Sequence, residues 1–232
     1  MYLFCIFLYD AFNHSLMQGY LHHAGYRTNK RRIEMLKLEE MAEIRPGYPF
    51  RGKVPITDDG EAYAVQFRHM VRDVISDKSG ATLDRVNLTG KKKANFLLPG
   101  DVIFMAKGTR NLAAVIQEVP ENTVCTPNFY HIRLKQGTNP LEPHFLAWQL
   151  NHSEAQRYFA SCSQGSASTS ITKAQLGSLS LSVPSLEKQN QIVSLIQAAE
   201  QEKEILLQLI ENRQRMIDSI GQQLLHPKQG KA

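Results

Sequence analysis

Hydrophobic positions along this chain switch between two periods. From 178 to 183, Leu179, Leu181 and Val183 alternate with Ser178, Ser180 and Ser182, the pattern of a strand with one buried face. Pro184 ends sheet pairing. Ser185 is placed to cap a helix, with Glu187 in the first turn where the helix dipole favours negative charge. The period then becomes helical over 186–225, a segment roughly 60 Å long at about 1.5 Å per residue. With Ile192 at heptad position a, the a positions are Ile192, Ala199, Leu206, Arg213 and Ile220, and the d positions are Leu195, Glu202, Leu209, Met216 and Gln223. Seven of these ten are apolar. That makes a coiled-coil seam whose polar interruptions fix register or partner rather than add stability. Gly221 weakens the last turns, and Pro227 closes the segment. A helix this long with one apolar stripe needs a partner, in the same chain or in another copy.

Upstream, "LKLEEMAEI" reads as a short strand or helical turn, followed by a loop, "RPGYPFRGK". "YAVQFRHMVRDVI" is rich in β-branched and aromatic residues and predicts one strand. "SDKSGATLDRVNLTGKKKANF" reads as a polar loop carrying Lys91, Lys92 and Lys93, a basic run that either faces solvent or meets phosphate. "PGDVIFMAKGTRNLAAVIQEV" predicts a hairpin, with strands at 102–106 and 112–119 and with Lys107 and Arg110 at its tip. In "FYHIRLK", Tyr130, Ile132 and Leu134 face one way and His131, Arg133 and Lys135 the other, which predicts a basic sheet face. Pro143 opens a helix with Phe145, Leu146, Trp148 and Leu150 on its core side; it is interrupted at "NHS" and resumes with Ala155, Tyr158 and Phe159. A loop of small residues, "SCSQGSASTSIT", leads back to the leucine and serine strand.

Composition narrows the class without naming a chemistry. The chain has 232 residues, 42% hydrophobic and 21% charged, which suits one buried core plus an extension and excludes global disorder. A formal charge of +5 leans towards anionic partners, although an excess this small also occurs in proteins that touch no nucleic acid. Cys5, Cys125 and Cys162 are too far apart, and odd in number, for a disulfide framework or a zinc site, so a reducing cytoplasm is expected. The apolar run at 2–9 lacks a basic flank and is far shorter than the ~20 residues that span a bilayer, so neither signal peptide nor anchor is expected. Residues 1–34 read as an upstream extension with little role in the fold.

Phosphate-cradle, zinc-protease and paired-cysteine motifs are absent, and His69, His131, His144 and His152 show no ligand spacing. No metal and no cofactor is expected. "NPLEPH" lacks the adjacent prolines and aromatic residue of an amino-methyltransferase loop, so no methylating centre is expected either.

Taken in order, "PGYPFRGK", "LLPGDVIFMAKGT", "GSASTSITKAQLGSLSLSVPSLEKQNQIV" and the long helix resemble the repeated half of type I restriction-modification specificity subunits, over about residues 35–225. The last motif is the most specific, with Ser185 standing where a second proline is frequent in the family. The resemblance implies an α+β fold, with a mixed α/β target recognition domain at 35–184, a long coiled-coil-type spacer or dimerisation helix at 185–226 and a tail at 227–232. It implies binding to double-stranded DNA without catalysis, in partnership with a methyltransferase subunit and a restriction subunit. The usual family chain carries two such halves and this one carries one, so pairing with a second half through the helix is expected, as a homodimer or with a different half.

The DNA-facing residues expected on this reading are Arg51 and Lys53, Lys91, Lys92 and Lys93, and Lys107 with Arg110; "KGT" recurs in the family, so Lys107 also has a structural reading. Ile192, Leu195, Leu206, Leu209 and Met216 are the expected helix interface. Two other readings compete with this one: a protein-interaction module that dimerises by its coiled coil with an incidental basic face, and an enzyme built on Cys162 and a histidine.

Overall fold

The computed structural model describes residues 34–70, 74–90, 93–108, 111–137, 140–163 and 170–225. The chain divides into two units, Met1–Ile33 and Glu34–Ala232, and every described residue belongs to the second. The expected extension, apart from Glu34, therefore lies outside the described residues.

"LKLEEMAEI" adopts both of its expected forms in succession. Strand β1 (Glu34–Lys37) runs into a single helical turn, α1 (Leu38–Met41), and then strand β2 (Ala42–Pro46). The turn forms because Leu38 and Met41, three apart and so on one helical face, are both buried in the core. β1 pairs antiparallel with β10 (Ser180–Val183), Leu36 opposite Leu181. In that strand Leu181 is buried and Ser180 exposed, as the alternation demands.

A five-stranded sheet forms the centre. Its order is β2, β9 (Phe129–Leu134), β6 (Val102–Met105), β7 (Ala113–Glu118) and β4 (Val74–Ser76), antiparallel except for the parallel β4–β7 pair. The hairpin read from the sequence is the β6–β7 pair. All four β6 residues are buried because both faces of the sheet are covered. Val102 and Phe104 meet helices α2 (Pro143–Asn151) and α3 (Ser153–Ser163), where Phe104 lies 4.9 Å, centroid to centroid, from Phe159. Ile103 and Met105 face a second cluster shared with a smaller sheet, β5 (Asp84–Val86), β3 (Ala62–Val65) and β8 (Thr123–Cys125). Trp148 is half-buried at the edge of the first cluster, its ring stacked on Phe145.

"YAVQFRHMVRDVI" is not one strand. β3 belongs to the small sheet and β4 to the large one, and Phe67–His69 form a tight 3-10 turn between them. Gln66 closes that turn: its backbone N–H donates to His69 Nδ1 at 3.0 Å and its amide to Asp84 at 2.5 Å. β5 lies inside the segment read as a polar loop, and β8 lies between two recognised strands. Three residues are too few to show an alternation.

After α3, helix α4 (Lys173–Gly177) starts at a capping box, Thr172 N–H donating to Gln175 and Gln175 N–H to the Thr172 hydroxyl. α5 (Leu186–Leu225) follows β10, with the Ser185 carbonyl accepting the Gln189 N–H at 3.0 Å. Gln189 and Val193 are its buried residues.

Candidate nucleic-acid interface

Two loops that the sequence marks as basic are locked to each other. The loop at 47–53 leaves β2 where Gly47 N–H donates to Phe129 O at 2.9 Å and Tyr48 N–H to Cys125 O at 2.8 Å. Only glycine fits at 47, since a Cβ there would stand 2.1 Å from Thr126 O. Buried Tyr48 reaches the segment at 87–93, its hydroxyl donating to Gly90 O at 3.1 Å and accepting from Gly90 N–H at 2.8 Å. Arg51 N–H adds a bond to the Thr89 hydroxyl at 3.3 Å. Arg51, Lys53 and Lys93 thus stand exposed on adjoining loops. Lys91 and Lys92 lie outside the described residues.

The hairpin tip leaves the large sheet at the same end. Met105 pairs with Phe129, the residue that also receives Gly47, and Ala106 N–H donates to Asn128 O at 2.9 Å. Lys107 is exposed, and Gly108 takes a φ of +126°, a conformation open to glycine. Arg110 lies outside the described residues. Asn111 ties the base of the tip, donating to Met105 O at 3.0 Å and accepting from the Gln156 amide at 2.7 Å.

Sequence reasoning missed the third element at this end, the turn Phe67–His69. Phe67 is 41% exposed with its ring 5.5 Å from that of Phe129, and a Cβ on Gly108 would come within 3.9 Å of it. Arg68 beside it is ion-paired with buried Asp84 while its own side chain stays largely exposed. An aromatic next to an arginine was visible in "QFRHM", but the segment read as a strand. Burial lowers the His69 pKa, with the Arg68 charge adding to this and Asp77 opposing it. Asp84 also faces His69 at 3.7 Å, but its charge is engaged by Arg68.

The basic face expected on β9 is consumed internally. Its alternation is present, but His131 is buried, its Nε2 2.7 Å from Asp101. Arg133 clamps the same carboxylate with two donors, at 2.7 and 2.6 Å, and Lys135 donates to the carbonyls of Glu39 and Glu40. Asp101 also accepts the Leu98 N–H at 2.7 Å. Burial opposes ionisation of Asp101, but the Arg133 and His131 bonds outweigh it and hold its carboxyl below the usual range. An alternating pattern tells which face a residue takes, and the partner waiting there decides whether its charge is available.

Along α5, Ile192 is half-buried against the domain core, whereas Leu195, Leu206, Leu209 and Met216 are each more than half exposed. Gln189 anchors the first turn. Its amide donates to Pro140 O and Pro184 O, both at 2.9 Å, and its oxygen accepts the Glu142 N–H at 2.8 Å.

The two described cysteines offer little chemistry. Burial pushes the Cys125 thiol up to about 12, and Cys162 sits half-buried beside Tyr158 and the Gln175 amide. Among the described residues no three His, Cys, Asp or Glu side chains converge on a metal position, and no helix is long and apolar enough to cross a membrane.

A family model described as type I restriction modification DNA specificity domain matches residues 30–212. No curated protein matches the chain. Among the solved structures that share its fold are the following three. A chain from a structure of complex assembly and conformational transition in a type I R-M system is 17% identical, with a TM-score of 0.62, covering 90% of this chain and 50% of that one. The HsdS subunit from Thermoanaerobacter tengcongensis is 18% identical, TM-score 0.56, with coverages of 84% and 45%. The type I S subunit from M. genitalium is 14% identical, TM-score 0.50, with coverages of 85% and 47%. This chain therefore spans about half the length of the solved chains it matches.

Proposed function

This chain belongs to the type I restriction modification DNA specificity domain family, and from that premise we propose that it reads one half of a bipartite double-stranded DNA target and directs separate methyltransferase and restriction subunits to it, with no catalysis of its own. The observation that carries this is the gathering of exposed cations around the end of the sheets where β9 begins: Arg51 and Lys53 on one loop, Lys93 on the loop locked to it, and Lys107 on the hairpin tip. Lysines and arginines so placed neutralise phosphates, while a few neighbouring side chains read base edges. Lys91, Lys92 and Arg110 belong to the same loops by sequence and are assigned with them. Phe67 adds an exposed aromatic beside the tip.

The recognition domain in this reading is 35–184 and the spacer is 185–226. The spacer's exposed seam, Leu195, Leu206, Leu209 and Met216, with Ile192 at its root, takes a second half, so that two recognition domains address two half-sites. The complex works in the cytoplasm, where its DNA is.

The test is DNA binding by the chain assembled with its methyltransferase subunit, across a salt series. The assembly is expected to prefer one bipartite sequence. Lys107→Ala with Arg110→Ala is expected to weaken binding to all sequences and flatten the plot of log K against log salt by up to about 1.8, roughly 0.9 per lost phosphate contact. An unchanged slope removes the tip from the interface. A complex with no DNA affinity at any salt leaves the coiled-coil protein-interaction reading.

A further inference from the structure

Beside the exposed cations of the candidate interface stands a large apolar side chain, Phe67, on the turn between β3 and β4. Building on the reading that this end of the sheets meets DNA, we propose that Phe67 reads the 5-methyl group of a thymine in the major groove of the half-site. The turn holds the ring in place before any DNA arrives. Just ahead of it Thr126 N–H donates to Val65 O at 3.1 Å, Gln66 is fixed to His69 and Asp84, and Met70 N–H closes the turn on Phe67 O at 3.1 Å. Arg68 is ion-paired with Asp84, which ties the turn to β5.

Phe67 lies back on buried Phe129 at a centroid distance of 5.5 Å, and its edge faces Gly108 on the hairpin tip. It therefore offers an apolar surface with cover behind it. A wedge that unstacks base pairs slides between them with both ring faces free, and this ring has one side taken. Cations stand close by: Lys107 precedes Gly108, and the loop of Arg51 and Lys53 leaves β2 through the Gly47 bond to Phe129 O. With those cations on phosphates, the side chain beside them faces base edges. A phenyl ring has no hydrogen-bond donor or acceptor, so it reads shape and apolar surface alone. The apolar group that the four ordinary bases present in the major groove is the thymine methyl, and apolar side chains contact it. A thymine here buries its methyl against the ring, whereas a cytosine in the same place has no methyl to bury.

Exchange of thymine for deoxyuridine tests this, one position at a time, in the duplex preferred by the full chain assembled with its methyltransferase subunit. The exchange keeps pairing and the O4 acceptor and removes the methyl. At one position of a half-site it is expected to weaken wild-type binding by roughly fourfold, the worth of about one buried methyl group. Phe67→Ala is expected to bind the thymine and uracil duplexes equally at that position, and to leave the salt slope unchanged because no cation is lost. Phe67→Leu, which keeps an apolar side chain on the turn, is expected to show a smaller penalty than wild type, and it carries the comparison if the alanine variant does not fold. The assignment is overturned if no half-site thymine senses its methyl in wild type, if the Phe67 variants keep the full uracil penalty, or if they weaken every sequence by the same factor. A complex that prefers no sequence overturns the reading of the interface itself; one that prefers a sequence yet fails this comparison overturns the role of Phe67 alone.

Discussion

At the scale of single residues, Asp101 ties together Leu98, His131 and Arg133. It takes hydrogen bonds from Leu98 N–H, His131 and both donors of Arg133, within a core where an unpaired basic group is costly. Asp101→Ala is expected to destabilise the chain by about 3–5 kcal/mol in urea unfolding, and a loss below about 1 kcal/mol would mean that the neighbours relax into water. His69 contributes a pH dependence. Its folded pKa lies below 6.5, so the unfolded chain binds the proton more readily, and stability falls as pH drops from 6.5 through the folded value. Asp101 and Asp77, the latter held near 2 by Thr82, Ser79 and Ala81 against the pull of burial, add a second loss below 3.8. Unfolding free energies at pH 7, 6 and 5 should decline for wild type, with a flatter decline for His69→Gln. None of this was legible in the sequence, because the partners of Asp101 and His69 are far away in the chain or hidden by the turn they create.

At the scale of elements, the junction between β10 and α5 is the part that local chemistry specifies best. Alternation, proline and helical period follow one another; the helix starts at Leu186 where those signals place it, while the strand read at 178–183 begins only at Ser180, because Ser178 still caps the end of α4. What the local signals omit is the direction of the helix, which Gln189 sets by tying α5 to Pro140 and Glu142 ahead of α2 and to Pro184. Gln189→Leu strands two carbonyls and one N–H in a buried site. It is expected to cost about 2–3 kcal/mol and to raise hydrogen exchange at the start of α5, leaving the distal turns unchanged. Uniform exchange along the helix would show that Val193 and Ile192 hold it unaided. The β3–turn–β4 segment is the opposite case. Its composition correctly indicated strand, but composition does not say which sheet a strand joins, and the break at Gln66 depends on Asp84 eighteen positions away.

At the scale of the whole molecule, a mixed α/β domain carries a 40-residue helix of which only the first two turns are docked. Eleven large apolar side chains of α5, from Leu195 onward, are at least 48% exposed, and an area of that kind on a single helix is covered in a working protein. Light scattering of the purified chain is expected to give a dimer, twice the 26.3 kDa of one chain, and Leu206→Glu a monomer, because it puts a carboxylate in the middle of the exposed apolar stripe. A Leu206→Glu chain that stays dimeric would place the contact elsewhere.

The sequence by itself determined the elements whose information is local and periodic: the hairpin, the leucine and serine strand, the long helix after it and the apolar stripe along that helix. It also carried the family, because the junction motif is a run of neighbouring residues. Only the tertiary structure decided which cations are available. Arg133, Lys135 and His131 alternate as faithfully as any exposed face would, yet they end on Asp101 and two carbonyls, while Arg51, Lys53 and Lys93 come together through a tyrosine hydroxyl 42 positions from its glycine. A side chain's period is set by its own backbone, and its partners by the fold that brings distant backbone to it.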